Sequence, residues 1–468
     1  MLKNMKSPTV IVGFMLFALF FGAGNLTFPA FLGLYSGNHF WQSIIGFCVT
    51  GIGLPLLGVM AVAFSGHETP KALARPVSKW YATGFASILY LAIGPFFAIP
   101  RTGATSFSIG IEPLFGNSLL VKAIYALIFF GLSYLLAIKP SKISDYIGKY
   151  LTPILIAVLS LLIIVSLLNP IGDLGQARNA SDTINNAFRD APFVAGLIQG
   201  YGTMDALASL VFAILVINAF KEHGISDKKQ IAQEIIKSGL FACSLLCLVY
   251  IFIGHIGATS QSLFTLKRGL FELYDTTVDG GHVLNRAITF YLGSLGQNTL
   301  SVVIFLACLT TASGLITSCS EFFHKLMPKL SHVTWVTIFT LMSTLFYFAG
   351  LSEIIKWSTP FLYLLYPLTI SLIFLVFTKG LFGSHPLVYQ TTIGLTFIAG
   401  SYDFLATLSQ MTKLFQIPKT IEHFFTTLVP LGEFNMGWIS FALTGYLIGY
   451  LGYRLMLKSK PTQKSVIR

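Results

Sequence analysis

The stretch Phe14-Met-Leu-Phe-Ala-Leu-Phe-Phe-Gly-Ala-Gly-Asn-Leu-Thr-Phe-Pro29 lies inside the first long apolar segment, yet its middle, Gly22-Ala-Gly-Asn25, has the composition of a turn. Glycine is a poor helix former and asparagine bonds its own backbone, so helix is weakest there. In lipid an unwound turn strands N–H and C=O groups. That is tolerated only where the backbone is buried in protein or lines a cavity. A helix broken at mid-membrane is therefore a candidate ligand site. The competing reading is a flexible kink or a close helix crossing, because glycine is common in membrane spans.

The rest of the chain supplies the setting. Of its 468 residues, 54% are hydrophobic and only 10% are charged, against roughly 25% charged in soluble domains. Such a composition cannot cover a water-facing surface, so the chain reads as an all-α polytopic membrane protein. The formal charge of +12 raises the question of nucleic acid, but the basic residues form no patch or tail large enough to bind it. Five cysteines all lie in apolar segments without CxxC or Cys/His ligand spacing, which argues against disulfides and zinc. Apolar sequence after residue 6 runs far past the ~7–15 residues of a signal peptide, so it reads as the first span.

Apolar runs place spans near residues 8–35, 40–65, 80–111, 118–138, 145–168 and 192–220, then 235–258, 286–319, 332–350, 355–378, 386–410 and 435–457. Twelve crossings put both termini on one side. Lys and Arg divide twenty to nine in favour of that side, with Arg101 left inside the membrane. The positive-inside rule then places both termini in the cytoplasm. Two outward loops, roughly 169–191 and 259–285, mix acids and bases and could carry short surface helices.

The sixth span holds Gly196-Leu-Ile-Gln-Gly-Tyr-Gly-Thr-Met-Asp-Ala206, where Gly-x-Gly again interrupts an apolar run. It falls five spans after the first break, so its direction is reversed. Two interrupted helices at matching positions of two oppositely oriented halves mark an inverted-repeat transporter. Asp205 follows the second break, and Arg101 lies in the third span within Gly94-Pro-Phe-Phe-Ala-Ile-Pro-Arg-Thr102. Ionisable groups at that depth are costly and are functional candidates by default, although they could instead satisfy each other or nearby carbonyls. Pro95 and Pro100 bend the third span. In the eighth span, Ala307-Cys-Leu-Thr-Thr-Ala312 offers two adjacent hydroxyls. With carbonyls freed by a broken helix they could cage a small hard cation, or they could simply bond back to their own helix.

Together these segments resemble the branched-chain amino acid:cation symporters, the bacterial branched-chain amino acid transport system II carriers. The motifs that carry the resemblance include Phe20-Phe-Gly-Ala-Gly-Asn-Leu-Thr-Phe-Pro29, Thr50-Gly-Ile-Gly-Leu-Pro-Leu-Leu-Gly58, Ile99-Pro-Arg-Thr102 and Ile147-Gly-Lys-Tyr-Leu-Thr-Pro153. Gly200-Tyr-Gly-Thr-Met-Asp-Ala-Leu-Ala-Ser-Leu210 and Cys308-Leu-Thr-Thr-Ala312 complete them. That family belongs to the amino acid–polyamine–organocation superfamily with the leucine-transporter-like fold. The resemblance implies a single transmembrane domain over 1–458, with a five-span repeat over about 8–168 and an inverted one over about 192–378. Two extra helices over about 386–457 and a cytoplasmic tail, 459–468, would follow. It also implies that N–H groups of Ala23, Gly24 and Asn25 hold a substrate carboxylate at a half-helix N-terminus, where partial positive charge suits an anion. Carbonyls of Gly200, Tyr201 and Thr203 would take the substrate ammonium. Carbonyls of Ala18, Phe21 and Ala307 with the hydroxyls of Thr310 and Thr311 would hold sodium. Some sodium-independent relatives use a lysine amine where Lys149 stands.

The expected function is secondary import of leucine, isoleucine and valine across a bacterial inner membrane. Na+ would be the coupling ion, and no cofactor or nucleic-acid partner is expected. Proton coupling, or exchange of other neutral amino acids, is the alternative. An integral membrane enzyme would cluster its ionisable groups near one membrane face, and a channel would not need paired breaks around a closed midplane site. Apolar side-chain selectivity is expected from Phe97, Leu207 and Phe305.

Overall fold

The computed structural model describes residues 7–65, 69–139, 145–169, 171–181, 186–273 and 276–459. The expected tail beyond residue 459 lies outside them, as do Lys3, Lys6, Lys142, Lys460, Lys464 and Arg468 of the charge count.

All twelve expected spans are helical. The first is two helices, α1 (Pro8–Phe20) and α2 (Ala23–Ser36), and the second joins α3 (Phe40–Cys48) to α4 (Leu54–Ser65) through a π-helical turn at Val49–Gly53. A short α5 (Pro70–Ala74) precedes the third span. That span runs through α6 (Lys79–Leu91) and α7 (Ala98–Ser106) to α8 (Glu112–Phe115). Then come α9 (Leu119–Ala137), α10 (Thr152–Leu168), the split sixth span α11 (Pro192–Tyr201) and α12 (Asp205–Glu222), and α13 (Lys228–Thr259). The chain continues through α14 (Gly280–Leu326), α15 (His332–Tyr347), α16 (Leu351–Thr378), α17 (Pro386–Thr412), α18 (Lys419–His423) and α19 (Trp438–Ser459). Among the described residues, eight helical runs are long and apolar enough to cross a membrane by length and composition.

Three local features depart from the simple span pattern. The third span bends at Gly94 (ψ −120°), beside Pro95 and ahead of Pro100. Gly293 (φ 57°) breaks α14, so residues 280–292 form a separate helix ahead of the eighth span. The loop 259–285, which could carry short surface helices, has a single helical turn at Gln261–Leu263 and the start of the helix at Gly280, and between them an antiparallel sheet of β1 (Thr265–Lys267), β2 (Leu270–Leu273) and β3 (Thr276–Thr277). Its tight turn uses Arg268 (φ 50°) and Gly269 (φ 82°), and two positive φ angles match the twist of a two-residue hairpin.

The chain forms two compact units. One comprises residues 1–69 and 88–358; the other comprises 70–87 and 359–468. In the first unit the broken spans exchange partners. Both halves of the first span pack on α13, which follows the second break, and both halves of the sixth pack on α3 and α4, which follow the first. Each crossing relies on glycines set directly against backbone. A Cβ on Gly33 would sit 1.9 Å from the Gly254 carbonyl oxygen, and one on Gly257 would sit 2.2 Å from that of Ala30. At the other crossing a Cβ on Gly196 would sit 2.0 Å from the Ser43 oxygen, and one on Gly46 would sit 2.2 Å from that of Phe193. Without a hydrophobic gradient between helices in lipid, such close backbone approach is the main source of packing energy. The reciprocal arrangement is what a two-fold relation between inverted halves produces.

In the second unit α19 lies along α17. Gly445 and Gly449 stand where a Cβ would meet Thr391 atoms at 2.5 and 2.3 Å. Gln390 also donates to the Val77 carbonyl at 3.0 Å, tying α17 to the segment before α6.

The crossing of α3 and α11 is directly testable. Gly196→Ala forces backbone apart and is expected to cost about 1–3 kcal/mol through overpacking. Gly131→Ala in α9 meets nothing within 4 Å, and should change stability by no more than about 1 kcal/mol, towards greater stability. Thermal unfolding of the two purified variants in detergent measures the difference.

Candidate functional site

The first break is at Phe21-Gly22, two residues earlier than the middle of the Gly-Ala-Gly-Asn run. Helix α1 ends at Phe20, and Gly22 is extended (φ −115°, ψ −155°). The Gly22 N–H donates to the Phe20 carbonyl at 2.8 Å and to Asn25 Oδ1 at 3.1 Å, so the third residue of α2 reaches back to the amide at the break. Gly22 is glycine for space as well, because a Cβ there would lie 2.8 Å from Thr311 Oγ1.

The second break differs in kind. Gly200 stays helical and Gly202 keeps right-handed angles, while Met204 takes the left-handed conformation (φ 67°). Only about a few per cent of non-glycine residues do so. The two glycines are there for contact: a Cβ on Gly200 would fall 1.9 Å from Thr50 Oγ1, and one on Gly202 would fall 2.6 Å from the Phe28 ring. Thr203 closes the turn locally. Its hydroxyl donates to the Gly200 carbonyl at 2.9 Å and accepts from the Asp205 N–H at 3.3 Å.

Arg101 and Asp205 meet these two breaks from opposite electrical directions. Both are buried, at 5% and 4% exposure. The Arg101 guanidinium donates to the carbonyls of Gly202 at 2.7 Å and Thr203 at 3.1 Å, capping the negative end of α11. It also sits over the Phe28 ring, 5.7 Å from its centroid. A Cβ on Gly24 would lie 2.7 Å from Arg101 Nη2, so the cation stands beside the first turn of α2 as well. Asp205 is the first residue of α12, where a carboxylate suits the positive helix end. Asn25 Nδ2 donates to its carboxylate and to the Tyr250 hydroxyl, joining the first, sixth and seventh spans.

A cavity enclosing about 320 Å3, its mouth included, opens among these groups. Ala23, Gly24, Asn25, Arg101, Thr203 and Asp205 line it. Gly200 and Tyr201 do not; the Gly200 carbonyl accepts from Thr203, and that of Tyr201 accepts from the Met204 N–H at 3.0 Å. The apolar wall comes from Phe20, Ile93, Ala208, Phe212 and Leu315, with Phe20 and Phe212 edge to face at 5.9 Å. The expected selectivity residues Phe97, Leu207 and Phe305 are not among the lining residues. Phe305 instead packs against the rings of Tyr125 and Phe129.

Thr311 belongs to both this cavity and an oxygen cluster behind it. Thr310 Oγ1 donates to the carbonyls of Ala18 and Ala307, each at 2.9 Å. Thr311 Oγ1 reaches the carbonyls of Ala18 at 3.3 Å and Leu19 at 3.0 Å. Four of the five residues expected around a cation are thus gathered: Ala18, Ala307, Thr310 and Thr311. The Phe21 carbonyl accepts from neither threonine, and the Leu19 carbonyl accepts from Thr311. Hydroxyl and carbonyl oxygens without an acid are a donor set for a hard monovalent ion. Among the described residues no three His, Cys, Asp or Glu side chains are grouped to hold a metal. Lys149 is exposed where the fifth span begins, whereas the oxygen cluster is buried.

Tyr250, Leu19 and Phe28, and the wall residues Phe20, Ile93, Ala208, Phe212 and Leu315, were not among the residues expected from the sequence. A lone tyrosine in an apolar run or a backbone carbonyl carries no local signal of function.

The chain matches, over residues 5–456, the family described as branched-chain amino acid transport protein. It is 40% identical over 451 residues to the branched-chain amino acid permease BrnQ of Bacillus subtilis (strain 168), covering 96% of this chain and 97% of that protein. It is 38% identical over 445 residues to the branched-chain amino acid permease BraB of the same organism, covering 95% of each. In fold it resembles the solved structure of Mhp1, a nucleobase-cation-symport-1 family transporter in a closed conformation with bromovinylhydantoin bound. The TM-score is 0.57 at 16% identity, covering 96% of this chain and 93% of that one.

Removing the carboxylate at the centre of the site exposes its structural share. Asp205→Ala leaves Asn25 Nδ2 without its carboxylate acceptor and Arg101 without its counter-charge. The expected cost is about 3–5 kcal/mol, as for other buried pairs broken from one side. Asp205→Asn keeps the shape and should lose much less, which thermal unfolding in detergent resolves.

Proposed function

Because this chain belongs to the branched-chain amino acid transport protein family, and so moves amino acids across a membrane rather than catalysing a reaction, we propose that it is a symporter importing leucine, isoleucine and valine with an inward flow of Na+. The observation that carries the coupling is the double position of Thr311. Its side chain lines the cavity and also belongs to the oxygen cluster with Ala18, Leu19, Ala307 and Thr310. A cation in that cluster would take up the lone pairs now engaged by hydroxyl protons and fix the end of α1 against α14. Fixing the end of α1 also sets Gly22 and the first turn of α2, where substrate would bind. Ion and substrate would thereby favour the same arrangement, which is the thermodynamic content of coupling.

The substrate is proposed to bind as a zwitterion between unlike charges. Its carboxylate would meet the N–H groups of Ala23, Gly24 and Asn25 together with Arg101. Its ammonium would face Asp205 and the break at Thr203. Phe20, Ile93, Ala208, Phe212 and Leu315 would enclose a branched aliphatic side chain. That wall offers no hydrogen-bonding group to a polar side chain, so a hydroxylated analogue would pay for dehydration there. The protein would sit in a bacterial plasma membrane with both termini cytoplasmic, as the loop charges favour.

The test is leucine uptake into proteoliposomes under an imposed sodium or proton gradient. Accumulation should follow the sodium gradient, and accumulation driven by the proton gradient alone would sink the assignment of the ion. Thr311→Ala should raise the sodium concentration for half-maximal uptake by about tenfold, the equivalent of about 1.4 kcal/mol. Competition by isoleucine and valine should stay in its wild-type order.

A further inference from the structure

The carboxyl end of α11 carries the partial negative charge of a helix end, and the carbonyls just beyond it attract any cation within reach. One already holds them. Arg101 Nη1 donates to the Gly202 carbonyl at 2.7 Å, and Nη2 donates to that of Thr203 at 3.1 Å. Arg101 and Thr203 both line the cavity, as do Gly24 and Asp205. An ammonium drawn to these carbonyls therefore meets a like charge seated on them.

The same guanidinium stands beside the opposite kind of helix end. A Cβ on Gly24 would lie 2.7 Å from Nη2, so that nitrogen is against the first turn of α2, the positive end that stabilises an anion. Phe28 spans the two places. Its ring centroid is 5.7 Å from Arg101 Cζ, and a Cβ on Gly202 would lie 2.6 Å from the same ring. A cation over a ring face is held by the quadrupole and needs no particular hydrogen-bond direction. The head can thus turn from the carbonyls to a carboxylate over one ring.

Hydrogen bonds from a charged donor are among the stronger ones in proteins. An amine arriving alone must break two of them and leaves a buried guanidinium without acceptors beside a second positive charge, which is heavily disfavoured. A zwitterion brings the replacement with it. Its carboxylate takes the guanidinium while its ammonium takes the carbonyls, facing Asp205.

We propose that Arg101 is the specificity-determining residue that admits amino acids and excludes amines, by holding the Gly202 and Thr203 carbonyls until a substrate carboxylate draws it off. The inference rests on the reading of the cavity as an amino acid site. The apolar wall cannot make this distinction, because 3-methylbutylamine, which is leucine without its carboxyl group, fits wherever leucine fits.

Displacement of radiolabelled leucine from the purified full-length protein in detergent, with sodium present, reads the distinction without requiring transport. Unlabelled leucine should displace the label from the wild type. 3-Methylbutylamine should fail to do so at about a hundredfold higher concentration, as expected where buried polar groups would be left unpaired. Arg101→Gln removes the cation, and the amine should then compete at least about tenfold better than against the wild type, the span of one hydrogen bond to a charged group. Arg101→Lys keeps the charge but lacks the fork that holds both carbonyls, so it should fall between the two. Amine displacement from the wild type as effective as that by leucine would overturn the proposal, and this arm stands even if a variant fails to fold. An Arg101→Gln protein that binds leucine yet still excludes the amine would overturn it too. So would loss of leucine binding in both variants with unchanged thermal unfolding. A wild type that binds no leucine would instead overturn the amino acid reading of the cavity, and the proposal with it.

Discussion

A helix interrupted inside hydrocarbon leaves peptide groups that lipid cannot satisfy, and most of the central architecture answers that requirement. At the first break the answer is local: Asn25 takes the Gly22 N–H. At the second it is partly imported, because the Gly202 and Thr203 carbonyls are met by Arg101 from the third span. Once a guanidinium is buried for this purpose, a counter-charge nearby reduces its cost. Asp205 supplies one, and Asn25 holds that carboxylate while also donating to the Tyr250 hydroxyl. The two breaks are therefore joined by a single polar network drawn from four spans.

The same network explains why the surrounding helices must approach so closely. A side-chain bridge between breaks works only if the broken helices sit at short range on stable partners. Glycines at both crossings set backbone against backbone, α2 on α13 and α11 on α3. The reciprocal packing gives each break the same kind of support, from a helix that follows the other break. A ligand pocket then arises with little extra construction. Charged groups present for structural reasons already line the opening, and an aliphatic wall closes the remainder.

Polar satisfaction also separates the two classes of glycine. Gly22 permits an extended residue and admits Thr311, whereas Gly200 and Gly202 keep helical or near-helical angles and admit Thr50 and Phe28. Reading Gly-x-Gly as weak helix located the second break to within two or three residues, but it named the wrong residue for the turn. Met204 bears the left-handed angle because Thr203 and Asp205 bond around it and over-determine its backbone.

The sequence by itself determined the membrane class, the twelve helical segments, the two interrupted spans and the pair of buried charges. These follow from composition, apolar run length and the cost of a charge in lipid, all of which act locally along the chain. The family resemblance and the Ala-x-x-Thr-Thr spacing also led to Ala18, Ala307, Thr310 and Thr311. Only the tertiary structure decided which carbonyls Arg101 occupies, that Leu19 rather than Phe21 meets Thr311, and that Tyr250 completes the bridge. The physical reason is common to all of them. Partner choice among distant groups depends on helix crossings set by backbone contact at a few glycines, and no local pattern records where those crossings fall.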